Sequence, residues 1–296
     1  MPAEPQPLNA RTLKDWTGRI PVPDYDRALV TPGVVHIGVG GFHRAHQAMY
    51  HDRLLDEGAL DWGICGVGVM AADQRMKQVL DAQDGLYRLV LKHSDGTYEP
   101  RVIGSIVEYL YAPDDPEAVV EKMAAESTRI VSLTITESGY NVSDLTGEFD
   151  VNNPAVVADL EPGSVLRTTF GLVTEALRRR RMRGLRPFTI MSCDNLQDNG
   201  YRSKRVFTAF ARLRDPELGD WVEREARFPN SMVDRITPVT TDGDRAEISE
   251  RFGIEDRWPV VCEPTPSGCS RTPSRPDGRH TSRPGYRWWT MSSPTS

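Results

Sequence analysis

The chain has 296 residues, enough to bury one large core or two modest ones. Its formal net charge of -6 speaks against nucleic acid or an anionic membrane as partner. No apolar run is long enough to span a bilayer, and the start MPAEPQPLNART lacks the pattern of a secretion signal. Cys65, Cys193, Cys262 and Cys269 form no CxxC pair. Reduced core thiols in a cytoplasmic protein are expected rather than disulfides or zinc ligands.

Residues 1–32 are proline-rich and polar and read as an N-terminal arm, with one short helical candidate at Leu13 to Trp16. The stretch that organises the chain follows. Val34, Val35 and Ile37 form a β-branched run that ends in Gly38, Val39, Gly40 and Gly41. A helix-forming segment comes next, with Ala45, Ala48, Met49 and Leu55 on one buried face. Strand, glycine turn and helix in this order open a dinucleotide-binding βαβ unit. The glycines allow close approach of a pyrophosphate, which sits on the free N–H groups of the helix start. The spacing Gly38-x-Gly40-x-x-His43 lacks the third glycine of the usual fingerprint, so a plain strand-to-helix turn fits the pattern too.

Trp62 to Val69 (WGICGVGV) reads as the second parallel strand, with Asp73 just beyond its end. A carboxylate there either takes the adenosine ribose hydroxyls, favouring NAD over NADP, or serves the start of the next helix. Leu86 to Lys92 and Arg101 to Tyr111 are β-rich and read as a hairpin or meander. A helix is expected over Asp114 to Ala125, with Pro116 in its first turn. Arg129 to Thr136 is a further buried strand, carrying Glu137-Ser138-Gly139-Tyr140 at the end where an open α/β sheet binds its ligands.

Ser164 to Met182 reads as a long amphipathic helix. The arginines from Arg178 to Arg181, with Arg183, are expected to form its solvated C-terminal end, where cations suit the macrodipole. Pro187 to Asp194 is another strand, with Asn195, Asn199 and Gly200 at its end and helical sequence over Tyr201 to Arg214. Phe228 to Pro238 is too irregular for a helix and too apolar for a free loop. The fold class is therefore α/β with a largely parallel sheet, and three polar clusters fall at strand ends.

After Pro264 the composition breaks. Thr265 to Ser296 hold no Leu, Ile, Val, Ala or Phe, so disorder is expected. The domain reading is a nucleotide-binding unit over 1–263 and an aberrant tail over 264–296.

Four motifs in order, GVGGFHRAH at Gly38 to His46, TITESGYN at Thr134 to Asn141, SCDN at Ser192 to Asn195 and FPNSMVDRITP at Phe228 to Pro238, resemble the long-chain mannitol dehydrogenase family. The similarity runs from about Gly33 to Glu263. It implies a Rossmann-type NAD domain, followed in the family by a mainly helical C-terminal domain. By position, Gly38, Val39, Gly40, Gly41, Phe42 and Arg44 would hold the dinucleotide, Asp73 the adenosine ribose, and Asp234 would lie near the nicotinamide. Asn195 would donate to the substrate oxygen, and Glu137 would stand by the proton exit path. The family is metal-independent, so His43 and His46 would be hydrogen-bonded packing rather than metal ligands.

The resemblance implies an NAD-dependent oxidoreductase acting on a polyol such as mannitol and its ketose, with no metal, nucleic-acid or membrane partner. Within the family a mannitol-1-phosphate 5-dehydrogenase or a uronate reductase is the alternative. Outside catalysis the alternative is an NAD-binding remnant that acts through a partner. The family's general base, a lysine in a Lys-x4-Asn-x2-His motif, has no counterpart here, since Lys204 is the last lysine. Codons for Ser267 to Ser292 can be chosen so that a one-base shift reads QWVLEDAFPAGRP and onward, which is family-like text. The tail is thus expected to be a frameshift product, and the chain to have little turnover.

Overall fold

The computed structural model describes residues 5–143, 147–232 and 237–264. Its frame is a five-stranded, all-parallel sheet made of β2 (Pro32–Ile37), β3 (Gly63–Gly68), β6 (Ile106–Tyr111), β7 (Ile130–Leu133) and β8 (Thr189–Ser192), in the order β6-β3-β2-β7-β8. The first strand of the sheet lies at its centre and the order reverses there. That reversal opens a crevice outside the carboxyl ends of the strands.

A smaller sheet joins β4 (Tyr87–Lys92) to β5 (Tyr98–Ile103) antiparallel and to β10 (Val260–Cys262) parallel. Two short strands, β1 (Gln6–Pro7) and β9 (Ile254–Glu255), pair in parallel and tie the arm to the far end of the described chain. The arm's Leu8 and Trp16 are buried with Leu86, Val102 and Ile254.

Side-chain alternation along β2 assigns its two faces. Val35 and Ile37 pack with helices α4 (Pro116–Ala124), α6 (Thr169–Met182), α7 (Asn199–Arg214) and α8 (Pro216–Glu225). Val34 packs on the opposite face with α1 (Gly41–Ala45), α2 (Gln47–Asp56), α3 (Gln74–Ala82) and the smaller sheet. Helices α5 (Pro154–Leu160) and α9 (Asp242–Phe252) flank these layers. Helices on both faces of a parallel sheet make a Rossmann-type domain. Among the described residues no helix is long and apolar enough to cross a membrane.

Three expectations need correction. Arg101 to Tyr111 is not one segment of a hairpin or meander, because the chain turns at Gly104 and Ser105 and its halves serve different sheets. Asp52 accepts the Gly104 N–H at 2.9 Å, and Ser105 donates to the Ala48 carbonyl at 2.7 Å, so α2 fixes the corner. The helix over Ser164 to Met182 begins only at Thr169. Buried Asp159 takes the N–H groups of Arg167 and Thr168 and holds the preceding loop extended.

The arginine cluster is only in part a solvated helix end, with Arg183 exposed and Arg180 buried. Arg179 pairs with Glu117, Glu121 and Glu175, and Arg183 with Glu121. Arg180 is buried and donates to the carbonyls of Ala125, Thr128 and Arg186. Carboxylates on α4 and bare carbonyls after it offer this helix end partners that water would otherwise supply. Cys65, Cys193 and Cys262 are buried, and Cys65 and Cys193 are free thiols. The tail from Thr265 on, and Cys269 with it, lies outside the described residues.

Candidate functional site

The glycine turn sits at the carboxyl end of the central strand. Gly38 has φ +91°, and a Cβ there would stand 2.2 Å from the Thr134 carbonyl oxygen, so only glycine fits. Its N–H donates to Val67 O at 3.0 Å, while Thr134 N–H donates to Ile37 O, which seats the turn across β3, β2 and β7. Val39 is buried, with its side chain against Gly66. Gly40 caps α1 with no side chain of its own, and a Cβ on it would meet nothing nearer than Gly38 O at 3.9 Å. A Cβ on Gly41 would meet the Thr237 side chain at 3.4 Å.

The helix after the turn is broken, which the sequence pattern did not indicate. Chain geometry departs from helical at His46, leaving a single turn, α1, before α2. Phe42 stacks on His46, and Tyr50 meets His46 edge-on, so aromatic packing occupies the break. Arg44 turns inward. At 2% exposure its guanidinium donates to Trp258 O and Gly40 O and lies over the rings of Tyr87 and Trp258. It ties the glycine turn to the segment leading into β10.

A polar layer lies beneath the turn. His36 in β2 places Nδ1 2.8 Å from Ser132 Oγ and Nε2 3.0 Å from Thr134 Oγ1, and the Thr134 hydroxyl donates to Gly38 O. Burial pushes the His36 imidazole down to about 3, so it is neutral and donates from one nitrogen only. Because the Thr134 proton is committed to Gly38, His36 donates from Nε2, while the Ser132 hydroxyl beside Nδ1 also donates to Gln47 Oε1 at 3.1 Å. His43 stacks on His36 at 3.5 Å, lies 3.1 Å from Gln47 Oε1, and is held well below its usual value by burial. His43 and His46 thus face packing partners. Among the described residues no cluster of three or more His, Cys, Asp or Glu could hold a metal ion.

At the end of β3, Asp73 Oδ2 accepts the N–H groups of Val69 and Met70 at 2.9 and 2.8 Å. The carboxylate thereby closes the turn into α3 and remains half-exposed at the sheet's ligand edge.

On the other side of the crevice, β7 and β8 end in a second polar constellation. Asp194, 8% exposed, accepts the N–H groups of Ile135 and Thr136 and the Tyr140 hydroxyl. Burial, and then the Asp194 charge, push the Tyr140 phenol up, so it stays a donor. Thr136 takes φ +63° and ψ 169°, a region that β-branched residues avoid. Glu137 follows it and is exposed, as is Asn195 after Asp194. Asn199 donates to Asp194 O and Ser231 O, Gly200 N–H donates to Asn230 Oδ1, and Ser231 N–H to Asn199 Oδ1. The irregular run from Phe228 is therefore stitched to the start of α7.

The fold brings Gly38 to Phe42, Glu137 and Asn195 to one edge of three neighbouring strands, with Asp73 beside them at β3. Arg44 is placed under that edge rather than on it. Asp234 lies outside the described residues. His36 and Asp194 were not singled out from the sequence. The one signal for His36 was a polar residue inside an otherwise apolar strand, and for Asp194 an acid directly before Asn195.

Comparison with known proteins agrees with this architecture. Residues 32–265 match the family described as the mannitol dehydrogenase Rossmann domain. A mannitol 2-dehydrogenase of Aspergillus clavatus is 50% identical over 268 residues, 88% of this chain and 53% of the relative. One from Phaeosphaeria nodorum is 49% identical over 257 residues, 86% of this chain and 45% of the relative. Among solved structures, Pseudomonas fluorescens mannitol 2-dehydrogenase in ternary complex with NAD and D-mannitol superposes with a TM-score of 0.84 at 45% identity. The match covers 87% of this chain and 53% of that one. The chain spans about half the length of the curated relatives it matches.

Proposed function

The chain belongs to the mannitol dehydrogenase family, and from that premise we propose that its glycine turn holds NAD for hydride exchange between a polyol such as mannitol and the corresponding ketose. One observation carries the reading most. Gly38 holds a conformation closed to other residues, at the carboxyl end of the central parallel strand, and among the described residues no atom comes nearer than 3.9 Å to a Cβ placed on Gly40.

In this reading Gly38, Val39, Gly40, Gly41 and Phe42 bring backbone up to the pyrophosphate, and Arg44 anchors that backbone from below. Asp73 takes the adenosine ribose hydroxyls with the carboxylate oxygen its backbone contacts leave free. A carboxylate there repels a 2′-phosphate, so NAD is preferred over NADP. Asp234 serves the nicotinamide end. When bound, the nicotinamide ring exchanges hydride with the carbinol carbon of the substrate. The Asn195 amide donates to the substrate oxygen as it gains alkoxide character, which lowers the barrier by roughly 3 kcal/mol. Glu137 stands beside the path by which the proton leaves.

The 296 residues contain no Lys-x4-Asn-x2-His motif. A positioned base is worth roughly 10²–10⁴-fold in rate, so the chain itself is proposed to bind NAD and turn over little. Residues 1–263 form the nucleotide-binding unit, with 1–32 as its arm. Two buried, free thiols, Cys65 and Cys193, fit a reducing compartment, so a cytoplasmic setting is proposed.

Calorimetric titration of the chain with NADH and, separately, with S-adenosylmethionine tests this reading, alongside a mannitol oxidation assay. The expected result is NADH binding, no S-adenosylmethionine binding and weak turnover. Absence of NADH binding overturns the reading. Mannitol oxidation at the rate of an ordinary dehydrogenase overturns the loss of turnover alone.

A further inference from the structure

The end of β3 holds a polar atom that the proposed NAD site leaves without a role. Tyr109 on β6 lies opposite Gly66 in the neighbouring strand and is 8% exposed. A Cβ on Gly66 would stand 2.7 Å from its ring, and one on Gly68 would stand 2.6 Å from its hydroxyl. Two glycines in β3 therefore make the room this side chain occupies. The same point over Gly68 lies 2.6 Å from the Cβ of Asp73. Phenol and carboxylate side chain converge on one spot at the strand's ligand end.

The Tyr109 hydroxyl is shielded from solvent and has no hydrogen-bond partner among the described residues. A buried hydroxyl in that state is unfavourable, so its retention calls for a partner that another state supplies. The groups that face it are Asp73, Arg44, Tyr111 and Cys65. Burial, and after it the Asp73 charge, raise the phenol, so Tyr109 is a neutral donor at every physiological pH. Among those neighbours Asp73 is the natural acceptor. Its Oδ2 is taken by the Val69 and Met70 N–H groups, and among the described residues Oδ1 accepts no hydrogen bond.

We propose that Tyr109 is a positioning residue for the adenosine ribose, its hydroxyl donating to Asp73 Oδ1 so that the carboxylate is held towards the ribose diol when the nucleotide is seated. This inference rests on the NAD reading above and deepens it by assigning what aims the selective carboxylate. Because Asp73 both attracts the ribose diol and repels a 2′-phosphate, the residue that aims it governs the preference between the two nucleotides.

The test is Tyr109→Phe in the full chain, with dissociation constants for NADH and NADPH by fluorescence titration. The same pair of measurements is made in an Asp73→Asn background. A hydrogen bond to a charged group of this kind corresponds to about a tenfold change in affinity. Tyr109→Phe is expected to weaken NADH about tenfold and NADPH hardly at all, so the preference for NADH shrinks by that factor. In the Asp73→Asn background the same substitution should have no further effect. The thermal midpoint of the free protein should stay level or rise, since the lost hydroxyl had no partner there.

Equal weakening of both nucleotides, or a Tyr109→Phe effect that survives in Asp73→Asn, makes Tyr109 a packing residue and overturns the inference. An unchanged NADH affinity overturns it as well. Failure of the unaltered chain to bind either nucleotide overturns the NAD reading itself and this inference with it. NADH binding by the unaltered chain keeps the two failures distinct.

Discussion

The two sides of the crevice reach positive φ by opposite means. At the end of β2, Gly38 takes φ +91° without steric cost, and the backbone that surrounds it leaves no room for a side chain. At the end of β7, Thr136 takes φ +63° against its own preference, held by a buried carboxylate, Asp194, that gathers two N–H groups and the Tyr140 hydroxyl. The first turn is made by residue type. The second is made by a clamp that costs conformational energy and needs three partners to persist. Under the proposed NAD reading, a loop that lets a pyrophosphate come close is best made of missing side chains. Under the same reading, a segment that presents Glu137 and Asn195 as side chains gains from rigid support beneath them.

The comparison is open to attack by substitution. Gly38→Ala should have the largest effect, since a new Cβ meets a backbone carbonyl that cannot move without disturbing β7. We expect a loss on the order of 3–4 kcal/mol in urea unfolding and no measurable NADH binding. Asp194→Ala should cost about 3 kcal/mol, because it leaves the Ile135 and Thr136 N–H groups without an acceptor and the Tyr140 phenol with Ser192 alone. NADH affinity should change by less than about threefold, a difference well under 1.4 kcal/mol, because the glycine turn does not lean on this carboxylate. A full loss of NADH binding in Asp194→Ala would erase the distinction between the two sides. Thr136→Gly should have the smallest effect and the opposite sign. Relief of the backbone strain outweighs the added freedom of the unfolded glycine, so a gain of about 1 kcal/mol is expected in the same unfolding assay. Destabilisation there would mean that Thr136 is not strained.

Much of this molecule was legible in the order of its residues. The strands Val34 to Ile37, Trp62 to Val69, Arg129 to Thr136 and Pro187 to Asp194, and the glycine turn after the first, follow from local periodicity and from residues that only certain turns accept. A resemblance carried by four motifs then led to the family and its Rossmann-type fold. These features are local, or repeat at short spacing, and a linear reading reaches them.

What the tertiary structure decided involves partners far apart in the chain. Arg44 is drawn inward by a carbonyl 214 positions away, at Trp258. Arg180 is buried because carbonyls 52 and 55 positions before it lie at the same helix end. The break at Gly104 and Ser105 exists because α2 supplies Asp52 and the Ala48 carbonyl at that corner. Thr136 carries its strain because Asp194 arrives on the next strand. Tyr109 meets Asp73 only because β6 lies beside β3. Composition and periodicity say which residues want burial or a turn. Which donor finds which acceptor is settled when strands distant in sequence become neighbours, and an unmatched buried polar group is too costly for that pairing to be left to chance.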